Sequence, residues 1–354
     1  GIRQHFWAYD GEHVLYLQDQ GGDENWRLYA ARADGGGERD LTPLAGVQAQ
    51  VIGLSHERPG VVLVGLNDRA PEWHDVYEID IATGERRLVE RNDQEIAGYL
   101  AGLDLKPRVA LRTLPDGGES LRRAGDKWER ILAYGQADSL TTQPLEIEGD
   151  GKSALLLSSV GRDKAAVTRV SLADGAATVV AESDKADVQD LWLDPRTRTP
   201  EAYAVNYLRS TYTPLVPEAA KDIETLSKAL GGDFSVASRT LDDSRWIVVV
   251  DDPQRSVSSH LYDRRTGTVT KLFDHRPALT GAPLQPMQAV EIRTRDGLTM
   301  VSYLTLPPGA DSNGDGRPDQ PVPMVLNVHG GPWGRDAFGY DPEHQWMANR
   351  GYAV

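Results

Sequence analysis

Near the end of the chain the motif "HGGPWGR", His329 to Arg335, follows the apolar run "PMVLNV". Adjacent Gly330 and Gly331 carry no Cβ, so a backbone N–H there can turn toward an approaching substrate oxygen with nothing in its way. Such a donor stabilises the oxyanion that forms when an acyl group is attacked; a bare His-Gly-Gly also makes an ordinary turn, and context decides between the two. A second set, Asp311, Asn313, Asp315, Gly316 and Asp319 in "DSNGDGRPD", matches positions 1, 3, 5, 6 and 9 of a calcium loop. Position 12, where a bidentate Glu belongs, is Val322, so the stretch reads either as a weakened calcium site or as an exposed turn.

Other chemistry is excluded. "GDGKS", Gly149 to Ser153, ends like a phosphate loop, but Glu146 stands where the first glycine is required and the context is a hairpin turn. "SHERPG" lacks the second His of a zinc helix, and Pro59 breaks one. Zero cysteines remove disulfides, thiolate metal sites and a Cys nucleophile. A net charge of −15 argues against nucleic acid, which needs a basic field. No apolar run is long enough to cross a membrane; the longest, such as "WIVVV", are strand-sized. The composition fits a cytoplasm or a bacterial periplasm, and any signal peptide lies upstream of Gly1.

The elements that must position these residues repeat. A strand, a Gly- or Asp-rich turn and another strand recur in "LYAARADGGGERDLTP", "VYEIDIATGERRLVE", "SLRRAGDKWERILAY", "VTRVSLADGAATVVAE" and "LYDRRTGTVTKLFD". Their first apolar residues, Leu28, Val76, Leu121, Val167 and Leu261, are 48, 45, 46 and 94 residues apart, the last interval being two units. Each unit has a further strand upstream, as in "YDGEHVLYLQ" and "DDSRWIVVVDD". Units of 40 to 50 residues with about four antiparallel strands are propeller blades, which must stack because one blade cannot bury both faces. The doubled interval holds "PLVPEAAKDIETLSKALGGDF", where Ala219, Ile223, Leu226 and Leu230 recur at helical spacing and Gly231-Gly232 stops the run, so a helix is inserted in one blade.

From Gly281 the texture changes. "GAPLQPMQAV" reads as a linker, "VEIRTRDGLTMVSYLTLPPG" as a hairpin across Asp296-Gly297, "PMVLNV" as a buried strand, and "DPEHQWMANRGYAV" as a helix leading into another strand. Strand, glycine loop, helix and strand is the grammar of an α/β domain. The expected division is a β-propeller over 1–280 and a linker with the first, incomplete part of an α/β-hydrolase domain over 281–354.

The stretches "VLYLQDQGGDENWRLYA", "DVYEIDIATGE", "TRDGLTM", "YLTLPPG", "LNVHGGPWGRD" and "ANRGYAV" resemble the prolyl oligopeptidase family of serine peptidases, in its acylaminoacyl-peptidase and dipeptidyl-peptidase-like bacterial branch. The resemblance implies a propeller, about six blades of an expected seven visible here, followed by the start of an α/β-hydrolase domain. It implies an oxyanion loop at His329, Gly330, Gly331 and Pro332, with the Gly331 N–H as donor, and short peptides as substrates. Acidic propeller residues in the dipeptidyl branch hold the substrate's ammonium, a role that Asp23 and Glu24 of "GGDENW" resemble; the alternative is a solvated hairpin tip. The family's nucleophile elbow follows the "RGYAV" strand, and residues 1–354 contain no GxSxG. The chain therefore reads as a fragment ending before the catalytic Ser, Asp and His, inactive by itself and without a cofactor unless calcium. An esterase, or a non-catalytic propeller that binds peptides or partners, are the rival readings.

Overall fold

Local turn chemistry starts each hairpin. In "YDGEH" the Asp10 carboxylate accepts the N–H groups of Glu12 and His13 at 2.9 and 3.0 Å, and Gly11 takes φ 71°, which folds the first strand back on the second. The computed structural model describes residues 1–331 and 333–354.

The strands form six antiparallel meanders. The first joins β1 (Ile2–Trp7), β2 (His13–Gln18), β3 (Arg27–Arg32) and β4 (Arg39–Asp40); the second joins β5 (Ala49–Leu54), β6 (Val61–Ala70), β7 (Trp73–Asp80) and β8 (Arg86–Glu90). The third holds β9 (Gly98–Ala101), β10 (Pro107–Leu114), β11 (Gly117–Ala124) and β12 (Lys127–Gly135). The fourth holds β13 (Gln143–Ile147), β14 (Ser153–Ser158), β15 (Ala166–Ser171) and β16 (Ala177–Ala181). The fifth has three strands, β17 (Val188–Leu193), β18 (Pro200–Asn206) and β19 (Ser210–Pro214), and is followed by α1 (Pro217–Leu230). The sixth comprises β20 (Asp233–Arg239), β21 (Arg245–Asp251), β22 (Ser258–Asp263) and β23 (Thr268–Asp274). First strands thus begin every 45 to 49 residues. The doubled interval in the sequence is the fifth sheet, where α1 comes in place of a fourth strand.

Residues 1–182 with 196–199 form one compact unit; residues 183–195 with 200–354 form a second. In the first unit three apolar layers separate four sheets. On β6 the residues Val62, Val64 and Leu66 join Leu15, Leu28 and Ile79 in one layer, while the alternate Leu63 joins Val76, Ala110 and Leu121 in the next. A strand buried on both faces needs an unbroken apolar run, and "VVLVGL" supplies it. Val109, Ile147, Ala154 and Leu156 fill the third layer.

The second unit packs Trp192, Ala202, Trp246, Val248 and Tyr262 against the Ala219, Leu226 and Leu230 stripe of α1. Pro217 at the first helical turn and Gly231 in the left-handed conformation, φ 66°, set the helix ends. Asp222 lies in that same buried stripe. It accepts hydrogen bonds from Tyr262 Oη at 2.8 Å and Arg264 Nε at 2.9 Å. Arg264 also pairs with Asp243, which holds Arg239 at 2.5 Å and Trp246 Nε1 at 2.7 Å.

The rest of the second unit is the hairpin β24 (Met287–Arg293) and β25 (Thr299–Thr305), then α2 (Pro342–Ala348). "PMVLNV" departs from its sequence reading. Only Met324 bridges in parallel to Ala353, and Leu326 and Val328 are 79% and 70% exposed instead of buried. An apolar run becomes a buried strand only when neighbours pair with its edges and cover its faces, and among the described residues only the Ala353 side pairs. No helix among them is long and apolar enough to cross a membrane.

Candidate functional site

The glycine loop is folded on itself. His329 Nδ1 donates to the Gly330 carbonyl at 2.9 Å, and a Cβ on Gly334 would stand 2.8 Å from that ring nitrogen. Gly331 takes φ 141°, and a Cβ there would lie 2.6 Å from Trp333 N, so the position requires glycine. At Gly330 a Cβ would meet nothing within 4 Å. The Gly331 N–H donates to no other described residue, and the loop is exposed to solvent. Pro332 lies outside the described residues.

The loop's far end is tied to the fifth and sixth sheets. Arg335 donates to the Tyr207 carbonyl, and Phe338 lies under the Arg209 guanidinium at 4.4 Å. Arg209 in turn pairs with Asp233 at the start of β20. Tyr340 N donates to Asp251 Oδ1 at 2.7 Å, and Gly339 admits this approach because a Cβ there would come within 2.5 Å of the same carboxylate. Burial pushes the Asp251 carboxyl above its ordinary value, the Tyr340 bond opposes the shift, and the nearby Asp233 charge adds to it. Next, Asp341 caps α2 by accepting from His344 N at 2.8 Å. Gln345 donates to the carbonyls of Pro253 and Gln285 and accepts from Gln285 N, which clamps the helix.

This arrangement can offer one fixed N–H to a developing oxyanion while Tyr207, Arg209 and Asp251 hold the loop's exit. None of the three is marked in the sequence: Tyr207 acts through its backbone carbonyl, and Arg209 and Asp251 are lone polar side chains far from the loop in sequence, with no spacing to mark them. Two Ser–His pairs do occur, Ser258 with His260 at 3.0 Å and Ser259 with His275 at 2.9 Å. Both serines open β22 and are paired on both sides, with β21 and β23, so neither sits on an exposed elbow.

The other two candidate sets stand apart. Asp23 accepts from the N–H groups of Gln20 and Asn25, and Glu24 sits at φ 56° in the same hairpin tip. The Gln20 N–H foremost holds the Asp23 carboxyl below its ordinary value. The pair belongs to the first unit and the glycine loop to the second. In "DSNGDGRPD" Asp311 accepts from the N–H groups of Asp315 and Gly316, Asp315 from Arg317 N, and Asp319 from Ser312 N. Asn313 Oδ1 also accepts from Asp315 N. Among the described residues no group of three His, Cys, Asp or Glu side chains is gathered to hold a metal ion.

Six consecutive antiparallel meanders make a β-propeller, and solved structures share that fold. A puromycin-hydrolyzing peptidase of Mycobacterium tuberculosis aligns with a TM-score of 0.64 at 17% identity, over 99% of this chain and 57% of its own. An acylaminoacyl peptidase of Pyrococcus horikoshii aligns at 0.61 and 12%, over 100% and 57%. In sequence, the chain is 47% identical to dipeptidyl aminopeptidase BIII of Pseudoxanthomonas mexicana, over 100% of this chain and 52% of that protein. It is 25% identical to dipeptidyl peptidase family member 6 of Caenorhabditis elegans, over the same shares. No protein-family model matches. The chain spans about half the length of the curated relatives it matches.

Proposed function

We propose that this chain is the propeller and the opening of the catalytic domain of a serine-type peptidase that acts on short peptides, in the dipeptidyl or acylaminoacyl mode. The observation that carries this reading is the 47% identity to a dipeptidyl aminopeptidase along the whole chain; beside it stands the glycine that the backbone requires at residue 331. In the reaction so proposed, a serine attacks the peptide carbonyl, a histidine takes its proton, and an aspartate orients the histidine. The Gly331 N–H receives the charge that develops on the carbonyl oxygen. The propeller acts as the filter that admits short chains.

Residues 1–354 contain no nucleophile elbow, so this chain by itself is inactive in our reading. The test sets dipeptidyl and acyl-aminoacyl p-nitroanilides beside p-nitrophenyl acyl esters and a fluorophosphonate probe. The full-length protein is expected to cleave the anilides and take the label, and residues 1–354 to do neither. Ester cleavage without anilide cleavage would make it an esterase, and no labelling of the full-length protein would leave a binding propeller.

A further inference from the structure

The fifth sheet is one strand short. In each of the other five meanders a fourth strand pairs with the third, but nothing described pairs with the outer edge of β19, and the chain leaves it for α1. An antiparallel ladder alternates, so every second residue of β19 turns its N–H and C=O away from β18. Leu215 N donates to the Glu201 carbonyl at 2.7 Å, and in the same register Thr213 and Thr211 face Tyr203 and Val205. Ser210, Tyr212 and Pro214 are then the outward residues. Ser210 marks the direction, because its N–H donates to Asp233 Oδ2 at 3.1 Å. Pro214 has no N–H to offer. Tyr212 alone presents both groups, and neither bonds to a described residue.

That edge opens on a cleft of about 350 Å³. Its walls are Tyr212 and Phe234, whose rings stack at 5.4 Å, and Ile223 and Ser227 of α1; the Arg209–Asp233 pair closes one end. The helix sends its apolar stripe into the core with Trp192 and Trp246. A helix spends its backbone groups on itself, so α1 leaves the β19 edge unpaired where a fourth strand would have filled it. A main-chain donor and acceptor side by side on an open edge recognise another main chain in extended form. Its length is restricted from both sides: Asp233 already holds the Ser210 N–H and Pro214 ends the row, which blunts the edge against a whole strand from another protein. The volume agrees, standing at the small end of the about 300–1,000 Å³ of small-ligand clefts.

We propose that this cleft is a binding site for a short peptide, which adds to β19 as the missing fourth strand. The peptide exchanges two backbone hydrogen bonds with Tyr212 and lays its side chains on the Tyr212–Phe234 rings and Ile223. Arg209, which closes the cleft, also covers Phe338, so the site shares a wall with the segment that leaves the glycine loop. The inference rests on the strand edge and not on the peptidase reading.

The chain has thirteen tyrosines, so residues 1–354 labelled with ¹⁵N at tyrosine alone give a simple amide spectrum, and Tyr212→Phe identifies the Tyr212 peak by its disappearance. The probe is acetyl-Val-Thr-Val-amide, which is uncharged and favours the extended form through its β-branched residues. It is expected to move the Tyr212 peak saturably and downfield, as an N–H moves on gaining an acceptor, and to leave the tyrosines of the first unit in place. The same peptide N-methylated at its threonine has no N–H for the Tyr212 carbonyl, and its affinity should be about fivefold lower, the net effect of one backbone hydrogen bond. Ser227→Trp puts a large ring into the cleft from an exposed helix position and should abolish the shift. A Tyr212 peak that does not move overturns the proposal, and so does equal binding of the N-methylated peptide, an arm that needs no folded variant. Equal binding by a folded Ser227→Trp chain overturns it as well. A Tyr212 peak that moves with protein concentration alone, with a doubled mass, makes the edge an interface between two copies and overturns the peptide site.

Discussion

Removing the Asp222 carboxylate tests whether α1 is locked to the sixth sheet by charge as well as by its apolar stripe. Asp222 is 2% exposed and accepts from Tyr262 Oη, on a ring 1% exposed, and from Arg264 Nε. Asp222→Ala leaves a buried phenol without its partner, which costs about 1–3 kcal/mol. Arg264 keeps Asp243, and its side chain is 23% exposed, so losing the second partner adds only about 1 kcal/mol. The expected loss is about 3 kcal/mol, or about 6–12 °C in the melting of a unit this size. Asp222→Asn keeps an acceptor for Tyr262 and gives up only the charge, so its loss should be about 1 kcal/mol. Trp192 and Trp246 lie in the same core, but the chain's other six tryptophans report as well, so urea and thermal unfolding are followed by calorimetry beside tryptophan fluorescence. A loss below about 1 kcal/mol for the alanine, or equal losses for the two variants, would refute the charge lock. The consequence reaches the candidate site, because α1 ends three residues before Asp233, the partner of Arg209 that covers Phe338.

Three further outcomes are expected. In the full-length protein, replacing Gly331 by its ester analogue glycolic acid removes the N–H without adding a Cβ, and kcat should fall on the order of 10²–10³ with KM little changed. Gly331→Pro is the poorer probe because proline fixes φ near −65° where the loop holds 141°. The folded Asp251 carboxyl titrates above its ordinary value, so the stability it contributes is full below the unfolded value and lost as pH rises through the folded one. Asp251→Asn, which keeps an acceptor for Tyr340 N, should therefore match or exceed the parent's melting temperature at pH 7, with the difference vanishing near pH 3; a large destabilisation at pH 7 alone contradicts this. Read as a calcium site, "DSNGDGRPD" should bind calcium saturably in calorimetry, and Asp315→Ala should weaken it strongly; no heat and no change in melting temperature at millimolar calcium would leave a turn built on its own backbone N–H groups.

The repeat was legible because a blade is a local object. Strand alternation, Asp-Gly turns and an interval near 47 residues recur whatever the sheets later pack against, and the six meanders follow them. The helix was legible for the same reason, from Ala219, Ile223, Leu226 and Leu230 to the glycine stop. The glycine requirement at residue 331 was visible as the pair in "HGGPWG", although only coordinates separate Gly331, where a Cβ collides, from Gly330, where it does not. "PMVLNV" was misread because apolar content records a tendency to be buried and carries no information on which neighbour covers it.

Local sequence determined the strands, their turns, the inserted helix and the glycine loop, since those depend on residues a few positions apart. Tertiary structure alone decided which charges found partners. Asp222 reaches Tyr262 across 40 residues, Tyr340 reaches Asp251 across 89, and Arg198 reaches Leu54 across 144. A carboxylate in a sequence has the same composition whether it ends solvated or buried. Its energy is set by the dielectric and the donors that packing brings to it, and those arrive from parts of the chain with no spacing relation to it.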